Sequence, residues 1–384
     1  MYTDFLKPVT KELQDFAKSC NSFCIGANVN FENEILIDPV EFKKKDKIAL
    51  IGVQEFRSLN SDEQEDTDFN FLRTSLYELK KGNWTLPIYD FGDVIASDHK
   101  VESGEVLQKV LEALLKDNFF VIIIGGSSSL GYYQYRAYDG LVKNLNYFSV
   151  DEKIRFGNPL LQANDNNYLS KIIDSEPLNL LDYTNIGYQT YFVGQEELDL
   201  IEQLNFEAIR LGQINLDIKE VEPYTREANA GLINLSSIEA NCYESCNDLT
   251  PNGFNSREIC GIAKYIGISS VLSSIYISNY IERYKKVDHL LVSQVIWYLL
   301  DGRNHRPEIK SFDDTQYFDK IFVPSDVQVF VFYRNIQTDQ WWIEIKEAVE
   351  EGELRIIPCS QQDYTRALAG EIPNKWWKYF KKFY

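Results

Sequence analysis

Three stretches carry the side chains that could do chemistry. The apolar run Val121-Ile122-Ile123-Ile124 leads into Gly125-Gly126-Ser127-Ser128-Ser129. The run Tyr147-Phe148-Ser149-Val150 leads into Asp151-Glu152-Lys153-Ile154-Arg155. The third, Leu232-Ile233-Asn234-Leu235-Ser236, is followed by Asn252-Gly253-Phe254-Asn255-Ser256-Arg257-Glu258. Glycines and serines between a strand and a helix can hold an anion on backbone amides and hydroxyls. Lys153 and Arg155 would add positive charge, so Ser127, Ser128, Lys153 and Arg155 are the candidates for a small-anion site. The same residues also suit a tight turn with serine caps, and a glycine pair alone is a weak fingerprint. Nucleophilic catalysis is poorly served. A serine needs a neighbouring base, and His99, His289 and His305, the three histidines, all lie far from Ser127 in sequence. Lys153 beside Asp151 reads as an ion-pair partner before it reads as a Schiff-base lysine.

The succession of these stretches resembles the ureohydrolase superfamily of arginase, agmatinase and formimidoylglutamase, whose scaffold places two manganese ions at the ends of parallel strands. Further segments are similar to formimidoylglutamase-like proteins of the Bacteroidetes type: Tyr183-Thr184-Asn185-Ile186-Gly187-Tyr188-Gln189-Thr190-Tyr191-Phe192, Trp341-Trp342, Pro358-Cys359-Ser360, Asp363-Tyr364, Glu371-Ile372-Pro373 and Trp376-Trp377. The resemblance runs from about Lys47 to Tyr384. It implies a three-layer α/β/α domain with a mostly parallel sheet of about eight strands.

The resemblance also implies where metal ligands would stand, and most are replaced. The histidine of the family's Gly-Gly-x-His motif falls on Ser128, a poor ligand for manganese. The family's Asp-x-His-x-Asp becomes Asp151, Lys153 and Arg155, and a charged lysine or arginine has no lone pair to give. Ser-Phe-Asp-x-Asp can be placed on Asn215 to Lys219, which keeps Asp217 but brings Lys219, or on Leu232 to Ser236. Glu258, at the end of a segment like the family's Gly-Gly-x-Thr-x-x-Glu, lies 24 residues beyond Asn234 and 41 beyond Asp217. The family's separation is roughly two dozen, which favours Asn234 and Ser236 as the former ligand positions. The last family carboxylate falls on Ile277. Ser128, Asp151, Lys153, Arg155, Asn234 and Ser236 thus read as a vestigial metal site, with Glu258 and Ile277 as its vestigial pocket. Asp151, Lys153 and Arg155 sum to about +1, where the family needs four aspartates to balance two divalent ions. A divalent ion about 4 Å from one ammonium costs roughly 8 kcal/mol at an effective dielectric near 20. The expectation is a pseudoenzyme without metal or other cofactor, in which Asp151 pairs with Lys153 or Arg155. Its function would be to bind another protein, such as an active paralogue or a larger assembly. A divergent hydrolase of a linear amidine and a small-anion sensor are the alternatives.

The elements that would position these residues follow from apolar periodicity. Lys47 to Val53, Phe119 to Ile124, Tyr147 to Asp151, Asp182 to Tyr188, Ala208 to Leu211, Leu232 to Leu235 and Val271 to Ile277 read as strands. Phe71 to Lys81, Val106 to Leu115, Leu130 to Leu145, Tyr168 to Ile173, Glu196 to Leu204, Ser256 to Ile266 and Leu290 to Leu300 read as helices. Such alternation predicts a parallel sheet covered on both faces, with ligands at the carboxyl ends of the strands. Residues 1–46 read as an irregular or helical arm and Asn60 to Asp68 as a solvated acidic loop. The α/β domain spans 47–322. A C-terminal extension, 323–384, packs on it, with Val327 to Tyr333 and Trp341 to Ile345 as a strand pair.

Composition excludes some roles. Among 384 residues, 58 Asp and Glu outnumber 39 Lys and Arg, for a formal charge of −19. That argues against a nucleic-acid partner, which needs concentrated positive charge. No secretory leader or membrane span is visible, so the cytoplasm is the expected compartment. Homo-oligomerisation stays open. Membrane contact is conceivable only through the basic, aromatic tail Trp376 to Tyr384, whose plainer reading is a docked terminal helix. The pairs Cys20/Cys24 and Cys242/Cys246 have a spacing a zinc site could use, but scattered reduced thiols are the simpler reading. Cys359, without a partner histidine, reads as buried.

Overall fold

The structure, a computed structural model, describes residues 2–31, 46–56, 69–95, 100–246, 248–282, 285–308, 310–346 and 354–383. His99, Tyr384 and the acidic stretch Asn60 to Asp68 lie outside the described residues. Short runs of branched and aromatic residues become strands because such side chains pack on a pleated surface covered from both sides. In chain order these strands are β1 (Leu6–Lys7), β2 (Val29–Phe31), β3 (Lys47–Val53), β4 (Ile88–Val94), β5 (Phe119–Ile124), β6 (Leu145–Val150), β7 (Leu180–Tyr188), β8 (Glu207–Arg210), β9 (Ala230–Asn234) and β10 (Ser274–Ser278). They form one sheet in the order β1-β4-β3-β5-β10-β9-β6-β7-β8, with β2 also on β4. All neighbours are parallel except β1 against β4.

The sheet is larger than the eight strands expected, and its extra members have identifiable origins. The N-terminal arm is no loose appendage: it supplies β1 and β2. Strand β4 is illegible as a strand because Asp90, Gly92 and Asp93 interrupt it. Those carboxylates are buried all the same, since Arg73 donates to both, at 2.9 Å to Asp90 and 2.7 Å to Asp93. Gly92, at φ +81°, marks the bulge between them.

Alternate residues of each strand feed two cores. One face packs under helices Lys11–Ser19, Asn70–Glu78, Ser256–Ile268 and Lys286–Asn304. The other packs under Lys100–Lys116, Gly131–Arg136, Tyr168–Ile173 and Gln195–Gln203. This is the expected three-layer α/β/α architecture. Truncating a central residue such as Ile275, fully buried, to alanine costs about 2–5 kcal/mol. The helix expected over Leu130 to Leu145 stops at Arg136, and the chain turns at Gly140, φ +76°, before β6 begins.

The C-terminal part is a second, four-stranded antiparallel sheet in sequential order: β11 (Phe318–Pro324), β12 (Val329–Asn335), β13 (Trp341–Lys346) and β14 (Leu354–Cys359). It starts before residue 323 and holds twice the strands of the expected pair. Arg226 fastens it to the main domain. Its Nη1 donates to the Trp341 carbonyl at 2.9 Å, and its guanidinium lies 4.2 Å over the Trp342 ring.

The tail is docked. Helix Asn374–Phe383 buries Trp376 and Tyr379 in the core of this second sheet. Its Lys378 donates to Glu207 at 2.6 Å, and Lys382 pairs with Asp182. Two of the helix's four lysines are therefore engaged by the protein's own carboxylates, while Lys375 and Lys381 lie over the rings of Tyr224 and Trp377. Among the described residues no helix is long and apolar enough to cross a membrane.

Candidate functional site

Strands β5, β10, β9 and β6 are consecutive neighbours, so their carboxyl ends lie side by side. Each leaves the sheet through a polar segment. β5 exits through Gly125 and Gly126, at φ +96° and +66°. A Cβ added at Gly125 would stand 2.3 Å from the Phe69 ring, so only glycine fits that close passage. β6 ends at Asp151 and Glu152, β9 at Asn234, and β10 at Ser278, followed by Asn279 at φ +62°.

At the junction of β6 and β9 a closed polar cluster forms. Arg155 turns back and donates from Nε to Asp151 Oδ2 at 3.0 Å and from Nη2 to Asp151 Oδ1 at 2.8 Å. The same Nη2 reaches Glu152 Oε1 at 3.1 Å. Asn234 Nδ2 donates to Asp151 Oδ2 at 3.1 Å, and the Lys153 amide to Asp151 Oδ1 at 3.1 Å. Ser236 Oγ donates to Glu152 at 2.9 and 3.1 Å. Asn279 Nδ2 orients Asn234 by donating to its Oδ1 at 2.7 Å. Arg155 is 2% exposed and Asp151 not at all. Two carboxylates around one guanidinium are tolerable at this depth only because the bonds are bidentate and charge-assisted.

Glu152 was absent from the sequence-based site, and it changes the charge balance. With its carboxylate included, the expected sum of about +1 for Asp151, Lys153 and Arg155 becomes neutral. Burial, and then the Asp151 charge, push the Glu152 carboxyl up to about 7, while Arg155 and Lys153 pull the other way. The Arg155 guanidinium is held firmly charged by Asp151 and Glu152 against its own burial. Lys153 contributes less than its position in the motif implies. Its ammonium, with 28% of the side chain exposed, bonds Asp248 at 3.2 Å, lies 5.4 Å over the Phe192 ring, and keeps only a long contact, 3.8 Å, with Glu152 Oε1.

The remaining candidates separate from this cluster. Ser127 and Ser128 hydroxyls each donate to Asp165 Oδ1 at 2.7 Å, and the Ser129 amide does so at 3.2 Å. The anion expected at this turn is thus a carboxylate of the chain itself, one that sequence spacing gave no reason to place there. Nor do the four proposed anion ligands converge, since Arg155 and Lys153 are bonded to other carboxylates. Glu258 closes a capping box at the start of helix Ser256–Ile268, accepting from the Asn255 amide at 2.9 Å. Ile277 is a core residue in register between Ile124 and Ile233. Asp217 and Lys219 lie apart from the four strand ends, at the 3₁₀ turn Ile218–Val221. Cys20, Cys24, Cys242, Cys246, Cys260 and Cys359 are all unpaired.

These donors do not fit a dinuclear manganese centre. Asp151 has about four lone-pair positions, and four protein donors take them. A cation could use them only by displacing Arg155. Among the described residues no group of three or more His, Cys, Asp or Glu side chains is arranged to hold a metal ion. The mismatch lies in occupied lone pairs, not in the excess of positive charge that the sequence suggested.

No family model matches the chain, and no curated protein matches it. Solved structures do. Formimidoylglutamase from Bacillus subtilis superposes with a TM-score of 0.62 at 17% identity, over 73% of this chain and 91% of that one. Formiminoglutamase from Trypanosoma cruzi, crystallised with Mn2+, gives 0.60 at 13% identity, over 71% and 99%. Arginase from Medicago truncatula gives 0.55 at 12%, over 66% and 86%. At these identities the likeness speaks for architecture. The chain has the ureohydrolase fold, the mostly parallel α/β/α architecture of formimidoylglutamases and arginase.

Proposed function

We propose that this chain is a cytoplasmic, metal-free and catalytically silent protein on a ureohydrolase scaffold. It acts by binding another protein, as a scaffold or as a regulatory subunit of an active paralogue or larger assembly. One observation carries the reading: the Arg155 guanidinium occupies the carboxylates of Asp151 and Glu152, where the resemblance would have metal. Without metal there is no activated hydroxide at neutral pH, and among the described residues Ser127, Ser128 and Ser129 turn to Asp165 and not to a histidine. The retained sheet and cores leave a stable body whose surface can serve recognition.

A second reading, hydrolysis of a linear amidine, draws on the formimidoylglutamase neighbours and on Glu152. A carboxyl near 7 is suited to proton transfer at neutral pH, although this one is 2% exposed. The two readings separate in a direct assay. Purified protein is expected to release no formamide from formimidoylglutamate with or without added Mn2+. Turnover that needs Mn2+ and is lost in Asp151→Asn would overturn the first reading.

A further inference from the structure

Cys24 and Lys80 stand opposite each other where the N-terminal arm runs antiparallel to the segment after helix Asn70–Glu78. The Ile25 amide donates to the Leu79 carbonyl at 2.8 Å, and the Lys81 amide to the Phe23 carbonyl at 2.9 Å. Those bonds flank the pair, which makes it the non-hydrogen-bonded kind, with side chains on one face at the closest cross-strand spacing. Backbone pairing therefore sets this meeting, however the lysine stem is bent. The Trp297 indole N–H anchors it further by donating to the Lys80 carbonyl at 2.6 Å. The side chains complete the contact, with Lys80 Nζ 3.0 Å from Cys24 Sγ.

A thiol oxidised to a sulfenic acid condenses with a thiol or a nitrogen within reach. Cys24 is 4% exposed, which favours a small oxidant over a bulky disulfide. Cys20 is the competing thiol. Its Sγ donates to the Phe16 carbonyl at 3.5 Å. Burial, and then Cys24, push that thiol up, so less of it is the nucleophilic thiolate. The amine of Lys80 is already at contact distance.

We propose that Cys24 and Lys80 form an oxidative cross-linking site, which takes a hydroperoxide as co-reactant and ends as a sulfenamide. The Cys24 sulfur attacks the peroxide O–O bond and gives up two electrons. With hydrogen peroxide the products are Cys24 sulfenic acid and water. The Lys80 amine, its ammonium proton released to solvent, then attacks that sulfur. The S–N bond forms, and the sulfenic oxygen leaves as a second water with one proton taken from the amine. The link closes the stretch carrying β2, β3 and helix Asn70–Glu78 into a loop, which restricts the unfolded chain. The site involves neither Asp151 nor Arg155, so it stands or falls separately from catalytic silence.

The test is mass spectrometry of the full chain after limiting hydrogen peroxide, followed by digestion. The expected product has lost two hydrogens, joins the peptides carrying Cys24 and Lys80, and reverts with dithiothreitol. Cys20→Ser should form it as wild type does. Lys80→Arg, whose guanidinium stays protonated, should not. Neither replaced side chain is buried, so both variants are expected to melt as wild type. A disulfide between Cys20 and Cys24 as the product would overturn the proposal. So would a Cys24 that stays a thiol or only gains oxygen, or a two-hydrogen loss undiminished in Lys80→Arg.

Discussion

Arg155 and Asp151, four residues apart, are joined by two nearly parallel hydrogen bonds of 3.0 and 2.8 Å inside a pocket closed to solvent. The bond pair fixes the segment after β6 and commits both oxygens of Asp151. Removing one partner from such an arrangement leaves buried charge without compensation. Arg155→Ala is therefore expected to lower unfolding stability by about 3–5 kcal/mol, read from urea denaturation. Arg155→Lys should recover little, because an ammonium cannot reproduce the planar fork. A loss below about 1 kcal/mol for Arg155→Ala would show that the cluster is not what orders this segment.

Glu152 makes stability depend on pH in a defined direction. Its carboxyl is pushed up to about 7 in the folded chain, against about 4.3 when unfolded. Between those values the folded state holds a proton that the unfolded state lacks. The favourable contribution is thus fully present below about pH 4 and is lost as pH rises toward 7. Glu152→Gln stays neutral throughout. Its stability relative to wild type should climb across this window by up to about 4 kcal/mol and level off above it. A difference that stays flat from pH 4 to 8 would contradict the assignment.

Asp165 plays the part of an internal anion at the triple-serine turn. Asp165→Ala should cost about 1–3 kcal/mol through unmatched donors. Sulfate should restore part of that loss in the variant, beyond its effect on wild type, as judged by melting temperature. No differential effect of sulfate would mean that the turn has no affinity for anions once emptied.

The C-terminal helix predicts a negative result of a specific kind. With Lys378 on Glu207 and Lys382 on Asp182, the full chain should not sediment with anionic vesicles. Lys378→Ala with Lys382→Ala should lower the melting temperature and leave vesicle binding unchanged. Sedimentation abolished by that double replacement would restore the membrane reading of the tail.

Much of the scaffold is legible because β5, β6 and β10 are short runs rich in β-branched and aromatic residues, and β9 carries the apolar pair Leu232-Ile233 at its centre. Strand β4 is not, since its Asp90 and Asp93 are made tolerable by Arg73, on the helix just before it, a partner that the strand's own pattern does not reveal. The site shows the same division. Asp151, Asn234 and Ser236 are reached by following strand ends. Glu152 was passed over because an alternating motif assigns chemistry to positions 151, 153 and 155. After β6 the chain is no longer extended, so alternation ceases to say which side chains share a face. Asp165 and Asn279 enter through loop closure and a left-handed turn, both set by tertiary packing.

The central claim concerns what Asp151 and Glu152 bind. Elemental analysis of protein purified without chelator and then equilibrated with Mn2+ tests it most directly. The expected result is far less than one manganese per chain, with no change on mutating Asp151 to Asn. Two manganese per chain, lost in Asp151→Asn, would show that metal and not Arg155 holds these carboxylates.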